Sequence, residues 1–132
     1  LREVTEIESI GDSCYNLART INHKYRGNED FTEKQYSHIH QMFQLTDDAL
    51  NQMVSLVEDE GHQVDVNKSF NLENEINNYR SQLKNQNVLD VNNKEYDYQM
   101  GVHYMDLIGE CEKLGDYIVN VVEARTDMKE KK

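Results

Sequence analysis

The stretch ECEKLGDYIVNVV, Glu110 to Val122, decides how this chain folds. Cys111, Leu114, Ile118, Val121 and Val122 recur at steps of three and four, the spacing that places side chains on one face of an α-helix. Extended upstream through Tyr104 and Leu107, the stripe predicts a long helix over about residues 95–127 that runs out into the charged tail Lys129 to Lys132. Inside it stands Gly115, which costs a helix on the order of 1 kcal/mol relative to alanine. Beside the glycine, Asp116 follows Glu112 by four residues, so two like charges share one helix face, an unfavourable arrangement.

The same awkward text occurs near the start of the chain. Glu6 to Asn16 reads EIESIGDSCYN, and laid over Glu110 to Asn120 it matches at six positions when Ile10 is counted with Leu114. The polar positions repeat as well as the apolar ones, which points to an internal duplication rather than to two amphipathic helices of similar composition. In each copy the acids, Glu8 with Asp12 and Glu112 with Asp116, lie away from the apolar stripe, with Asn16 and Asn120 extending the row. Gly11 and Gly115 lie between row and stripe, where a missing side chain suits the close approach of a neighbouring helix.

Outward from these two segments the chain reads as helical throughout. It contains no proline, and no run alternates apolar and polar residues long enough for a strand. The first helix is expected over residues 1–26 on Ile7, Ile10, Cys14, Leu17, Ile21 and Tyr25, ending at Gly27 and Asn28. The second, over residues 32–59, starts at Thr32 with Gln35 placed to complete a capping box, and carries Tyr36, Ile39, Phe43, Leu50, Val54 and Val57 before Gly61. The third, over residues 64–86, has the thin stripe Val66, Phe70, Ile76, Tyr79 and Leu83. Asn85 to Glu95 reads as an Asn-rich connection with Val88, Leu89 and Val91 tucked against the bundle. Four helices with short links make an all-α, antiparallel four-helix bundle in a single domain, residues 1–132.

A net charge of −11 sets nucleic acid aside as a partner and favours cations or basic surfaces. No apolar run approaches the roughly 20 residues of a membrane span, so direct insertion of this segment is not expected. The two cysteines fall on expected apolar faces and suggest reduced thiols rather than a disulfide framework. The chain starts without Met and enters the helical pattern at once, as expected of a piece of a longer polypeptide.

For the repeated acids there are two readings. They are charges on the solvated faces of an acidic protein, or they are ligands: carboxylates on adjacent turns suit hard cations such as Mg²⁺, Mn²⁺ and Ca²⁺, or iron. An enzymatic di-metal centre would need Glu-x-x-His pairs facing the bundle interior, and none occurs. His38 and His40, two residues apart, point to different faces of their helix.

The segments ESIGD and EKLGD resemble the E/D-x-x-x-D motifs of PhoU-type proteins, helical bundles built from spectrin-like three-helix repeats. The resemblance implies one whole repeat, about residues 32–127, preceded by one extra motif helix. It implies Glu8, Asp12, Glu112 and Asp116 as ligands of divalent or iron cations, and no enzymatic activity. PhoU-type domains occur as free regulators of phosphate uptake and as cytoplasmic tails of bacterial sodium/phosphate cotransporters. The expected context is the second: an accessory domain at the cytoplasmic side of the inner membrane, partnered by the transporter's membrane part. A free-standing regulator and a ligand-free helical adaptor are the alternatives, and the missing preceding helices leave open closure alone or as a homodimer.

Overall fold

The computed structural model of the chain describes residues 5, 7–17, 31–58 and 66–130, and among them there is helix and no strand. The helices are α1 (residues 7–17), α2 (Glu33–Glu58), α3 (Val66–Asn92) and α4 (Tyr98–Glu130). Each of the last three packs on the other two. Lys34 of α2 reaches Asp90 near the end of α3, and Arg80 of α3 reaches Glu112 of α4, so α3 runs antiparallel to both neighbours. Contacts from His38 to Tyr104 and from Arg125 to Val57 make α2 and α4 parallel. The expected all-α bundle is the observed one. The expectations for residues 18–30, including Ile21, Tyr25 and the turn at Gly27, and for residues 59–65 lie outside the described residues.

The start of α2 is as read from the sequence. Thr32 Oγ1 accepts from the Gln35 amide at 3.1 Å while the Gln35 side chain accepts from the Thr32 amide at 2.9 Å, which satisfies two otherwise orphaned donors. The buried face of this helix differs from the expected one. Gln35, Ile39, Met42, Thr46, Ala49, Met53 and Leu56 are buried, at alternating steps of four and three, whereas Tyr36 and Val54 are exposed. Two physical features explain the rotation. The α3–α4 pair presents a seam of roughly 3.5-residue period, and Thr46 can enter that seam because its hydroxyl donates to the Met42 carbonyl at 2.8 Å.

Helix α3 is longer than expected. It continues through Asn85–Asn92, so reading that segment as a connection is corrected, and Val88 and Leu89 are exposed rather than tucked in. The buried residues Ser69, Ile76, Leu83 and Asp90 stand seven apart, which keeps one narrow stripe on the bundle to the end of the helix. Asp90 is held by Lys34 at 3.4 Å and by the Gln86 amide at 2.9 Å, so a residue suggestive of a turn works here as a buried tie between helix ends.

The true stop comes at Lys94, whose φ is 61°. The amide of Lys94 donates to the Val91 carbonyl at 3.0 Å and that of Glu95 to the Asp90 carbonyl at 2.9 Å, the paired bonds of a left-handed helix C-cap. Asp97 then caps α4, its carboxylate accepting from the Met100 amide at 2.8 Å.

Helix α4 is the most enclosed of the four. Met100, Tyr104, Leu107, Ile108, Cys111, Leu114, Ile118, Val121 and Val122 all belong to the core, and the whole stripe read from the sequence is buried. Helix α1 adds Ile10, with Leu17 packed at the edge, but Ile7, Cys14 and Tyr15 are exposed. Placing Cys14 on a buried face is thereby corrected, while Cys111 is fully enclosed and burial pushes its thiol up to about 12, out of the reactive range.

A left-handed conformation at a residue with a side chain costs on the order of 1 kcal/mol, which glycine escapes. Lys94→Gly should therefore raise stability by about 0.5–1 kcal/mol in urea unfolding. An unchanged or lower midpoint would count against the cap as described.

Candidate functional site

The two copies of the acid motif occupy different surroundings. In α1, Glu8, Gly11 and Asp12 are exposed, and a Cβ added at Gly11 would meet nothing within 4 Å. In α4, a Cβ at Gly115 would lie 3.3 Å from Ile76 Cδ1, so the missing side chain admits an α3 residue with no solvent exposure. The packing-notch reading thus holds for Gly115 and fails for Gly11 among the described residues. The reason is tertiary: α3 lies against the second copy, and no described helix lies against the first in that way.

The close approach at Gly115 brings α3 charges onto the α4 acid row. Arg80 Nε lies 3.1 Å from Glu112 Oε2, with both side chains about one-third exposed or less. The N–H is not aimed at that oxygen, and Nε has no aligned hydrogen-bond acceptor, so the contact is a Coulombic pair. One turn further along α4, burial raises the Asp116 carboxyl above its ordinary value, and a hydrogen bond with the Glu73 side chain opposes that rise. Glu73 also accepts from Asn77 at 3.3 Å. The Glu112–Asp116 row is expected on the solvent side, and Asp116 is indeed exposed; Glu112, half-buried, faces α3 instead, because α4 is enclosed on more sides than an amphipathic surface helix.

The two motif helices do meet, through Glu110, which stands two residues before the motif acid Glu112 and is not among the expected ligands. Glu110 Oε1 accepts from Ser13 Oγ at 2.9 Å and from Asn16 Nδ2 at 3.4 Å, and Lys113 stands 3.8 Å from the same carboxylate. Ser13 is buried. The signal for this contact is present in the repeat itself, since Asn16 and Glu110 are both at matched positions, whereas Ser13 stands opposite Tyr117 in the repeat and carries no mark of it.

These placements bear on how the four acids could hold a cation. Mg²⁺ and Ca²⁺ require six or more oxygen ligands. Glu8 and Asp12 offer two exposed carboxylates one turn apart, which fits a hydrated, weakly held ion. Glu112 has the resident positive charge of Arg80 beside it, and Asp116, one turn on, is exposed. Among the described residues no three His, Cys, Asp or Glu side chains converge to hold a metal ion.

A second polar cluster lies where the start of α2 meets the end of α3 and the start of α4. His38 Nδ1 is 2.9 Å from the Tyr104 hydroxyl, and its ring packs edge-on against Tyr79 with centroids 6.2 Å apart. Burial raises the Tyr104 pKa, so its hydroxyl keeps its proton, and which of the two groups donates in this hydrogen bond is set by the His38 tautomer. Burial, then the nearby Lys34 charge, lowers the His38 pKa, while Asp90 opposes them. Close by, the Tyr96 hydroxyl donates to Asn87 Oδ1. Between α2 and α3 a groove of about 520 Å³ is lined by Ser37, Gln41, Leu45, Glu75, Asn78, Tyr79 and Gln82. Its single charge is Glu75, so it offers a phosphate no counter-charge.

With this geometry in hand, comparison with known proteins places the chain. The PhoU domain family matches residues 39–124, more than half of the chain, and the chain belongs to that family. The match covers α2 from Ile39, all of α3 and most of α4, which are the three helices that pack mutually. The family is regulatory and non-enzymatic, and it associates the domain with phosphate uptake. No curated protein and no solved structure gives a significant match.

Two outcomes follow from the site. Gly11→Ala should stabilise the fold by up to about 1 kcal/mol, the helix propensity gained in open space. Gly115→Ala should gain less or lose stability, because Ile76 must give way; equal gains in thermal unfolding would refute the asymmetry. The second outcome concerns pH. A histidine whose folded pKa lies below its unfolded value binds fewer protons when folded, so its contribution is complete above the unfolded pKa of about 6.5 and is lost as pH falls below it. Between about pH 7.5 and 5.5 the native protein should therefore lose more stability than His38→Gln. Parallel curves would remove His38 as the cause.

Proposed function

We propose that this chain is an accessory, regulatory domain of a sodium-dependent phosphate transporter, lying at the cytoplasmic side of the inner membrane against the transporter's membrane part. The observation that carries the reading is the PhoU family match across the three mutually packed helices. The rest of the molecule agrees with it. The polar clusters hold helix ends together, no helix among the described residues is long and apolar enough to cross a membrane, and the one groove described suits no phosphate. In this reading the domain does no chemistry. It biases the transporter by binding one of its states better than another.

Cation binding through the acid motifs is part of the same proposal. Glu8 and Asp12 would hold a hydrated divalent or iron cation on the α1 surface, where a partner could complete the ligand shell. Glu112 and Asp116 would take one only by releasing Arg80.

Uptake of radiolabelled phosphate tests the regulatory role, in cells whose parent gene carries or lacks the segment 1–132. Removing the segment should change uptake or its response to external phosphate by roughly fivefold or more, the usual scale of a coupled equilibrium. Identical uptake curves at equal transporter levels would sink the proposal. The cation half is checked separately by Mn²⁺ titration, where Glu8→Gln combined with Asp12→Asn should abolish the tighter binding phase.

A further inference from the structure

We propose that the second E-x-x-x-D motif of this chain is a helix clamp, in which the guanidinium of Arg80 takes the place that a cation would hold on Glu112. The inference rests on reading the motif acids as cation ligands, and it narrows that reading to the first copy. Two contacts in register support it. Ile76 enters the notch at Gly115, and Arg80, one turn further along α3, meets Glu112.

The notch and the charges lie side by side. A Cβ at residue 115 would lie 3.3 Å from Ile76 Cδ1 and oblige that side chain to give by a few tenths of an ångström, at the same approach of α3 to α4 that brings Arg80 Nε to 3.1 Å from Glu112 Oε2. Arg80 in turn places a positive charge beside Glu112, the half-buried member of a like-charge pair whose other member, Asp116, is exposed. An arginine suits this role better than a lysine, since its charge is spread over a planar, weakly hydrated group that tolerates partial burial.

The first copy supplies an internal contrast. Glu8, Gly11 and Asp12 repeat the residues of the clamp, yet among the described residues they are exposed and the notch is open. One motif therefore has two uses in one chain. With an arginine-bearing helix against it, it joins helices, and without one its carboxylates stay available to ions from solution.

A double-mutant cycle and a metal titration together test the assignment. Arg80→Gln, Glu112→Gln and the double variant are conservative changes at partly exposed positions whose urea unfolding can be compared in about 50 mM NaCl, where the Debye length is about 14 Å. The pair should be coupled by about two- to five-fold in the folding equilibrium constant, with the coupling falling in about 500 mM NaCl. Additive single effects at low salt would overturn the clamp. In the second arm Mn²⁺ is added to the native chain and to Glu112→Gln. The two should bind alike, and a roughly tenfold loss in Glu112→Gln would overturn the placing of Arg80 in the cation's stead. Failure of the cation reading itself shows elsewhere, as Mn²⁺ binding indifferent to Glu8 and Asp12.

Discussion

The seating of Ile76 over Gly115 is the constraint on which the rest of the bundle depends. Helix α3 carries only two fully apolar anchors in its buried stripe, Ile76 and Leu83, the other deeply buried positions being Ser69 and Asp90. Burying an isoleucine side chain stabilises by about 1.5–3 kcal/mol, and a helix with so thin a stripe cannot lose one such contact without loosening. The glycine costs α4 some helix propensity and leaves room for Ile76 to seat against it. Together with the approach at Gly101, where an added Cβ would lie 3.0 Å from Val91 Cγ2, this contact sets the spacing of α3 and α4, and that spacing determines which charges can reach across.

Around it, polar ties hold the bundle ends. Lys34 with Asp90, His38 with Tyr104 and Arg125 with the Val57 carbonyl join helices that are far apart in sequence, and the last of them satisfies a carbonyl in the final turn of α2 that has no partner within the helix. Such ties contribute little net stability each, about 0.5–1.5 kcal/mol for a neutral hydrogen bond. Their larger effect is on register, because a slip by one residue would leave buried polar groups unsatisfied. A bundle with a modest apolar stripe on α3 gains its specificity from these groups.

The acid motif illustrates how identical text acquires different roles. The residues Glu-x-x-Gly-Asp occur twice with the same local geometry, yet α3 lies against one copy, and among the described residues the other is open. On α1 of this PhoU domain both motif carboxylates are exposed, whereas on α4 one of the two is paired with Arg80. The domain therefore presents its negative charge unevenly, and net charge alone does not describe what a partner would meet.

What the sequence by itself determined was local. The absence of proline, the 3.6-residue periodicity, the Thr32–Gln35 box and the repeated motif follow from interactions within a few turns of chain, and each can be read without knowing the neighbours. Which face of a helix is buried, where a helix ends and what an acid meets depend on other helices. The stripe of α2 was misjudged by one position because Met42, Thr46 and Ala49 carry weak hydrophobic signals and became core only against α3 and α4. Helix α3 outran its expected end because Asp90 and Asn87 found partners on α2 and beside α4, which offset the poor helix propensity of their segment. Arg80 could not be matched to Glu112 in advance, since their meeting depends on the spacing that Gly115 and Ile76 create, and spacing between helices is decided only when the core is packed.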